Sequence, residues 1–166
     1  MNPASRRPDP SAGTTRLPTG GPRLPEGARR LPGDTARRLP AATALAGFLA
    51  EPHVATLTTL RPDGSPHVVA VRFTWDEVAG LARVLTIGST RKARNLARQG
   101  GRAALCQAVG FRWVTLEGVA TVHDVPDRVS EGVRRYAKRY GSPPPHPPGR
   151  VVIEIVVDRI TQLNLD

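Results

Sequence analysis

A strand end, a glycine, two hydroxyls and a basic run stand together at Ile87-Gly88-Ser89-Thr90-Arg91-Lys92-Ala93-Arg94-Asn95. The order suits oxyanion binding. The first N–H groups of a helix lack internal partners, and the helix dipole adds partial positive charge there. Gly88 frees the backbone after Ile87, Ser89 and Thr90 offer hydroxyls, and Arg91 and Lys92 add full charges, so the segment reads as a phosphate-binding corner. The same residues also spell a capped helix with a solvated basic face. Lysine is rare here, two against 22 arginines, which draws attention to Lys92.

Two further sets could serve a ligand. Thr56 and Thr58 alternate along one β-rich run, and Val69 and Val71 along the next. Together they could give a planar ring an apolar wall, or they could be ordinary core. Trp113, between Arg112 and Val114, could cover a flat ligand, sit in a dimer interface or pack in the core. No nucleophile elbow, close acid pair or metal-ligand spacing accompanies them. Cys106 lies in the apolar run Ala103–Val109 and reads as a small inert core residue. A chain without an evident nucleophile or base can draw its chemistry from a bound cofactor.

These groups need elements to position them. Leu45, Phe48 and Leu49 form one face of a short helix that stops before Pro52. His53–Leu60 and Pro66–Trp75 are strands around the turn Arg61–Ser65, a hairpin. Leu81–Gly88 is a third strand. Residues 90–99 form a helix that Gly100-Gly101 ends. Arg102–Val109 and Phe111–His123 are strands around Gly110. Val125–Tyr140 is an amphipathic helix. Ser142–Gly149 is a stiff polyproline loop, and Val151–Leu165 a last long strand. Hairpins dominate, so the expected sheet is mainly antiparallel, with six strands in a small barrel and two or three peripheral helices. No βαβ rhythm or GxGxxG loop supports a Rossmann fold.

Composition sets the limits. The 166 residues carry a formal net charge of +10. Residues 1–40 hold eight arginines, eight of the 17 prolines and no aromatic residue, and read as a disordered tail. The folding unit is then 41–166. The tail repeats Arg-Leu-Pro at Arg16, Arg23, Arg30 and Arg38, too short a unit for a solenoid. Arg37-Arg38 before an apolar stretch imitates a twin-arginine export signal, but amphipathic spacing follows it. No apolar run approaches the ~20 residues of a membrane helix, so a cytoplasmic location is expected. One cysteine excludes a disulfide framework. Seven aromatic residues and no recognition helix argue against specific nucleic-acid binding.

The ordered blocks resemble a known family. His53–Trp75 resembles the opening hairpin of the flavin- and deazaflavin-dependent split β-barrel oxidoreductases, the pyridoxamine-5′-phosphate-oxidase-like superfamily. Lys92-Ala93-Arg94-Asn95 is similar to its phosphate-binding KxxN segment, and Phe111–Ala120 to the strand that closes the site. Arg135–Tyr140, the Pro-rich loop and Arg150–Arg159 resemble the mycobacterial coenzyme F420-dependent branch known for biliverdin reduction. The resemblance spans about 45–160. It implies Lys92 and Asn95 at a cofactor phosphate, with Ser89, Thr90 and Arg91 beside them. Thr56, Thr58, Val69, Val71, Ile87 and Trp113 would stand near the ring. It implies F420, or alternatively FMN, in a groove between the subunits of a homodimer. Strands 102–109 and 151–157 would form the seam. The expected substrate is a tetrapyrrole or other conjugated acceptor. The competing reading is a non-catalytic flavin, haem or tetrapyrrole carrier. The C-terminal substrate segment of a true pyridoxamine phosphate oxidase is not evident.

Overall fold

A computed structural model describes residues 42–97 and 100–165, all within one compact unit. The expected tail, 1–40, lies outside the described residues. The elements run α1 (Ala42–Ala50), β1 (Ala55–Leu60), β2 (Pro66–Val71), β3 (Thr74–Asp76), β4 (Leu81–Ile87), α2 (Arg91–Leu96), β5 (Gly101–Val109), β6 (Arg112–His123), α3 (Pro126–Tyr140) and β7 (Arg150–Leu163).

The sheet is antiparallel in every pairing, as expected, but it has seven strands in the order β2-β1-β5-β6-β7-β4-β3 and is not closed. The extra strand arises because the predicted strand Pro66–Trp75 breaks at Arg72–Phe73. Its first part pairs with β1 at one edge of the sheet, and its last two residues, Thr74 and Trp75, pair with β4 at the other together with Asp76. Val71 and Thr74 are only three residues apart, so the two edges lie within about 11 Å along the chain. The sheet therefore rolls until its edges nearly meet, without a ladder between them.

The side chain of α3 residue Tyr140 serves the backbone at that break. Its hydroxyl accepts from Phe73 N–H (3.1 Å) and donates to Phe73 C=O (3.0 Å). Arg139 donates to the same carbonyl, and its guanidinium lies 4.1 Å from the Phe73 ring centroid. Polar groups that would have joined a ladder are thus satisfied by a helix. Gly132 lets α3 approach the sheet, since a Cβ there would stand 3.0 Å from Leu85 Cδ2.

Alternate residues point into the roll. Leu57, Leu105, Val114, Leu116, Ile153 and Ile155 are fully buried. Phe48 and Leu49 of α1 join this core, as does Leu96 of α2, and Ala93 of α2 is also buried. Gln107, also fully buried, donates to Phe48 C=O (2.7 Å) and accepts from Arg139 (2.7 Å), fastening α1 and α3 to β5. Cys106 is not a core residue. It stands half-buried on the opposite face, across from Thr56 and Thr115. A bulge on β7 opposite Glu117 and Gly118 brings backbone so close that a Cβ on Gly118 would lie 1.9 Å from Val156 O. No helix among the described residues is long and apolar enough to cross a membrane.

Candidate functional site: a cationic groove at the open seam

The strand end β4 carries Leu85, Thr86 and Ile87 to a tight turn. Thr90 stabilises that turn by donating its hydroxyl to Ile87 C=O (2.8 Å) and standing 3.2 Å from Thr86 Oγ1. Thr90 also precedes α2, but its side chain makes no capping bond there. Of the expected helix 90–99, α2 covers Arg91–Leu96 and is capped at Ala97, and residues 98 and 99 lie outside the described residues. Across the seam, β2 ends in Ala70 and Val71, and Arg72 follows. The Pro-rich loop closes a third side with Pro144, Pro145 and Pro147, and Gly88 N–H holds its end by donating to Gly149 C=O (3.0 Å).

These segments line a groove of about 330 Å³, together with Lys92, Tyr136 and Arg150. Its charge is one-sided. Among the described residues, Arg72, Lys92 and Arg150 line it and no carboxylate does. Arg72 donates to the Tyr136 hydroxyl (2.7 Å) and lies 5.1 Å from the Tyr140 ring centroid, so neutral aromatic groups place it. Tyr136 and Tyr140 stack at 4.6 Å between centroids. Lys92 has no acidic partner among the described residues, and burial pushes its ammonium pKa down. A half-buried cation without a counter-ion is electrostatically unfinished, and a bound anion would complete it.

The expected site residues divide. Val71, Ile87, Thr90 and Lys92 meet in the groove. Ser89 and Arg91 are exposed next to it and do not line it. Asn95 instead donates to the buried Thr59 hydroxyl (2.9 Å), tying α2 to β1. The expected common wall of Thr56, Thr58, Val69 and Val71 does not exist. Thr56 faces Ala70 and Thr58 faces Val68, on the outer face of the sheet, whereas Val69 and Val71 oppose Leu57 and Ala55 on the inner face. Thr58 lines a separate hollow of about 160 Å³ with Leu60, Arg102 and Glu117. Trp113 pairs with Ala108 and Leu163 near the β5–β6 turn, away from the groove lining. Sequence reasoning did not place Arg72, Tyr136 or Arg150 in the site. Tyr136 and Arg150 lay in the blocks behind the F420-branch resemblance. Nothing local marked Arg72, because its role depends on the strand break.

An open groove with apolar walls, stiff prolines and three cations without an acidic partner among the described residues fits a flat ligand that carries anionic groups. The donor set suits phosphate or carboxylate oxygens, and the hydrocarbon walls suit a ring.

The sequence matches the family described as "Pyridoxamine 5'-phosphate oxidase" over residues 41–164. It is 51% identical over 113 residues to the F420H(2)-dependent biliverdin reductase of Mycobacterium tuberculosis, covering 68% of this chain and 81% of that protein. Among solved structures, it is similar to the conserved hypothetical protein Rv2991 of Mycobacterium tuberculosis. There the TM-score is 0.65 and the identity 25%, over 76% of this chain and 86% of that one. It is also similar to a protein described as "F420 Reductase" (TM-score 0.56, identity 28%, 69% of this chain and 94% of that one). The chain belongs to the pyridoxamine 5′-phosphate oxidase family.

Proposed function

We propose that the chain is an F420-dependent oxidoreductase that reduces a conjugated acceptor, biliverdin being the best candidate. The observation that carries this reading is the groove lined by Arg72, Lys92 and Arg150 with no carboxylate among its described lining residues. The named relative at 51% identity and the F420 reductase fold-mate support F420 over FMN.

Bound there, F420H2 would supply the hydride. The chain's part is to bind and orient. Lys92 and Arg150 would hold phosphate or carboxylate oxygens. Val71, Leu85, Ile87 and the prolines would hold the ring and exclude water from its faces. Arg72, fixed by Tyr136, would remain charged and orient an acidic group on either ligand. No side chain needs to act as a covalent catalyst, and protons can come from solvent.

The chain would work as a homodimer. Leu60, Val68, Val119 and Val156, all on the outer sheet face, are 48–59% exposed. Val119 and Val156 are directly paired across β6 and β7. This widens the expected seam beyond strands 102–109 and 151–157 to β1, β2 and β6.

The test is retention of ligand. The chain is titrated with F420 and with FMN by fluorescence, and F420H2 oxidation is then followed with and without biliverdin. Tighter binding of F420 and biliverdin-dependent oxidation are expected. Tight FMN binding with no response to F420 would favour the flavin alternative. F420 binding without turnover of any acceptor would favour a carrier. Light scattering should give twice the chain mass, and a stable monomer at micromolar concentration would refute the dimer.

A further inference from the structure

Three hydroxyl-bearing residues line the cationic groove: Thr86, Thr90 and Tyr136. A hydroxyl has one hydrogen to give, so each can be followed to its acceptor. Thr90 gives its hydrogen to Ile87 C=O (2.8 Å). Thr86 is then the donor in the 3.2 Å contact between the two threonines. Tyr136 differs. Its oxygen accepts from Arg72 (2.7 Å), and its own hydrogen has no acceptor among the described residues. Tyr140 does not share this state, because its hydroxyl is spent on Phe73 C=O and it does not line the groove.

The phenol is held in place. Tyr136 is 9% exposed, and its ring stacks on Tyr140 at 4.6 Å between centroids. Arg72, itself a lining residue, takes the acceptor side of the oxygen, which leaves the O–H for a groove ligand. The cations of the lining are poorer sources of a proton. Arg72 and Arg150 do not release theirs, and Lys92 is assigned to a ligand anion.

We propose that Tyr136 is the proton donor of the reduction, with Arg72 as its charge partner. This rests on the reading of the groove as a hydride-transfer site. The acceptor takes a hydride at carbon from the reduced deazaflavin, and the electron pair of its π system moves to a nitrogen or oxygen. The Tyr136 O–H bond breaks, and an N–H or O–H bond forms at that atom. Arg72 faces the phenolate until a proton from water restores the phenol. The deazaflavin loses its other hydrogen as a proton to solvent, so a hydride and a proton are lost on one side and gained on the other.

Two measurements on the full chain test this. In the first, cofactor-free protein is titrated with biliverdin and followed by the visible absorption of the ligand. Tyr136→Phe should raise the Kd roughly 2- to 12-fold, the effect of one neutral hydrogen bond. In the second, a single turnover of F420H2 with biliverdin is followed at saturating concentrations of both. General acids contribute about 10²–10⁴ in rate, so Tyr136→Phe should slow this step at least ~100-fold while F420 affinity stays within a few-fold of the parent. The Phe ring keeps the stack on Tyr140, and circular dichroism checks the fold of each variant. Arg72→Met separates donation from positioning. It keeps the phenol and removes the guanidinium, so it should weaken binding yet slow the step less than Tyr136→Phe. A folded Tyr136→Phe that reacts within threefold of the parent, or binds biliverdin equally well, overturns the proposal. So does an Arg72→Met that is slowed as much, because Tyr136 would then act only by holding Arg72. A parent chain that binds both ligands without oxidising F420H2 refutes the hydride-transfer reading itself, and the proposal with it.

Discussion

Lys92→Ala separates a binding cation from a solvated surface charge, and it does so through two opposite effects. Burial depresses the Lys92 pKa, and no acid among the described residues compensates it. In the free protein the ammonium is therefore a mild liability. Its folded-state pKa is below its unfolded value, so the unfolded chain holds the proton more tightly. The resulting destabilisation is present at neutral pH and is relieved as pH rises through the folded pKa toward 10.5. Removing Lys92 should leave the melting temperature unchanged or slightly higher. Binding should respond in the other direction. A charge-assisted contact to an anion contributes about 1.5–3 kcal/mol, which is a loss of roughly 10- to 150-fold in F420 affinity. Lys92→Arg should recover part of it, since charge is retained but the compact ammonium is not. Turnover at saturating F420 should stay within a few-fold of the parent, because the interaction holds the ground state and transition state alike. The assay is a fluorescence titration with F420, alongside thermal melts without ligand. A Lys92→Ala protein that binds F420 within threefold of the parent would refute the assignment. So would a large fall in melting temperature, which would make Lys92 a structural residue.

Other outcomes test the fold that holds the groove. Gly118→Ala places a Cβ 1.9 Å from Val156 O and should cost on the order of 4 kcal/mol or prevent folding, read from urea denaturation. Tyr140→Phe removes the hydroxyl that serves both backbone groups of Phe73 and should cost about 1–3 kcal/mol by the same measurement. Hydrogen bonds from Arg134 and Arg135 pull the Glu131 carboxyl down to about 2. Its contribution is complete above the unfolded value near 4.5 and is lost as pH falls from there through 2. Glu131→Gln should therefore flatten part of the acid limb of a stability–pH curve by lowering stability modestly at neutral pH and leaving it little changed near pH 2. A chain beginning at Pro40 should keep both its thermal transition and its F420 affinity, and loss of either would give the Arg-Leu-Pro segment a role.

The hairpin, the glycine turn before α2 and Lys92 were legible because local chemistry sets them. Pro, Asp and Gly at residues 62–64 fix a turn whatever surrounds it. The failed wall of Thr56, Thr58, Val69 and Val71 was legible too, from loop length. With Leu60 opposite Pro66, residues of the same parity face each other, so even positions on β1 share a face with even positions on β2. The break at Arg72–Phe73 was not legible. Arg72, Phe73 and Thr74 suit an extended strand, and the hydroxyl of Tyr140 and the guanidinium of Arg139, 67 and 66 residues away, make leaving the ladder tolerable. Asn95 shows the limit of motif transfer: its position matched a phosphate segment, yet its amide is engaged by Thr59.

The break also sets where the molecule opens. β3 has three residues and a single pairing partner, and the connection to β2 relies on side chains of α3 rather than on a ladder. Amide protons there should exchange through local opening, well below the free energy of global unfolding, whereas those of β5 to β7 should report the global value. Arg72 sits on this segment and lines the cationic groove. A ligand held by Arg72 in the groove would favour the closed form. Occupancy of the groove should therefore slow amide exchange at Phe73 and Thr74.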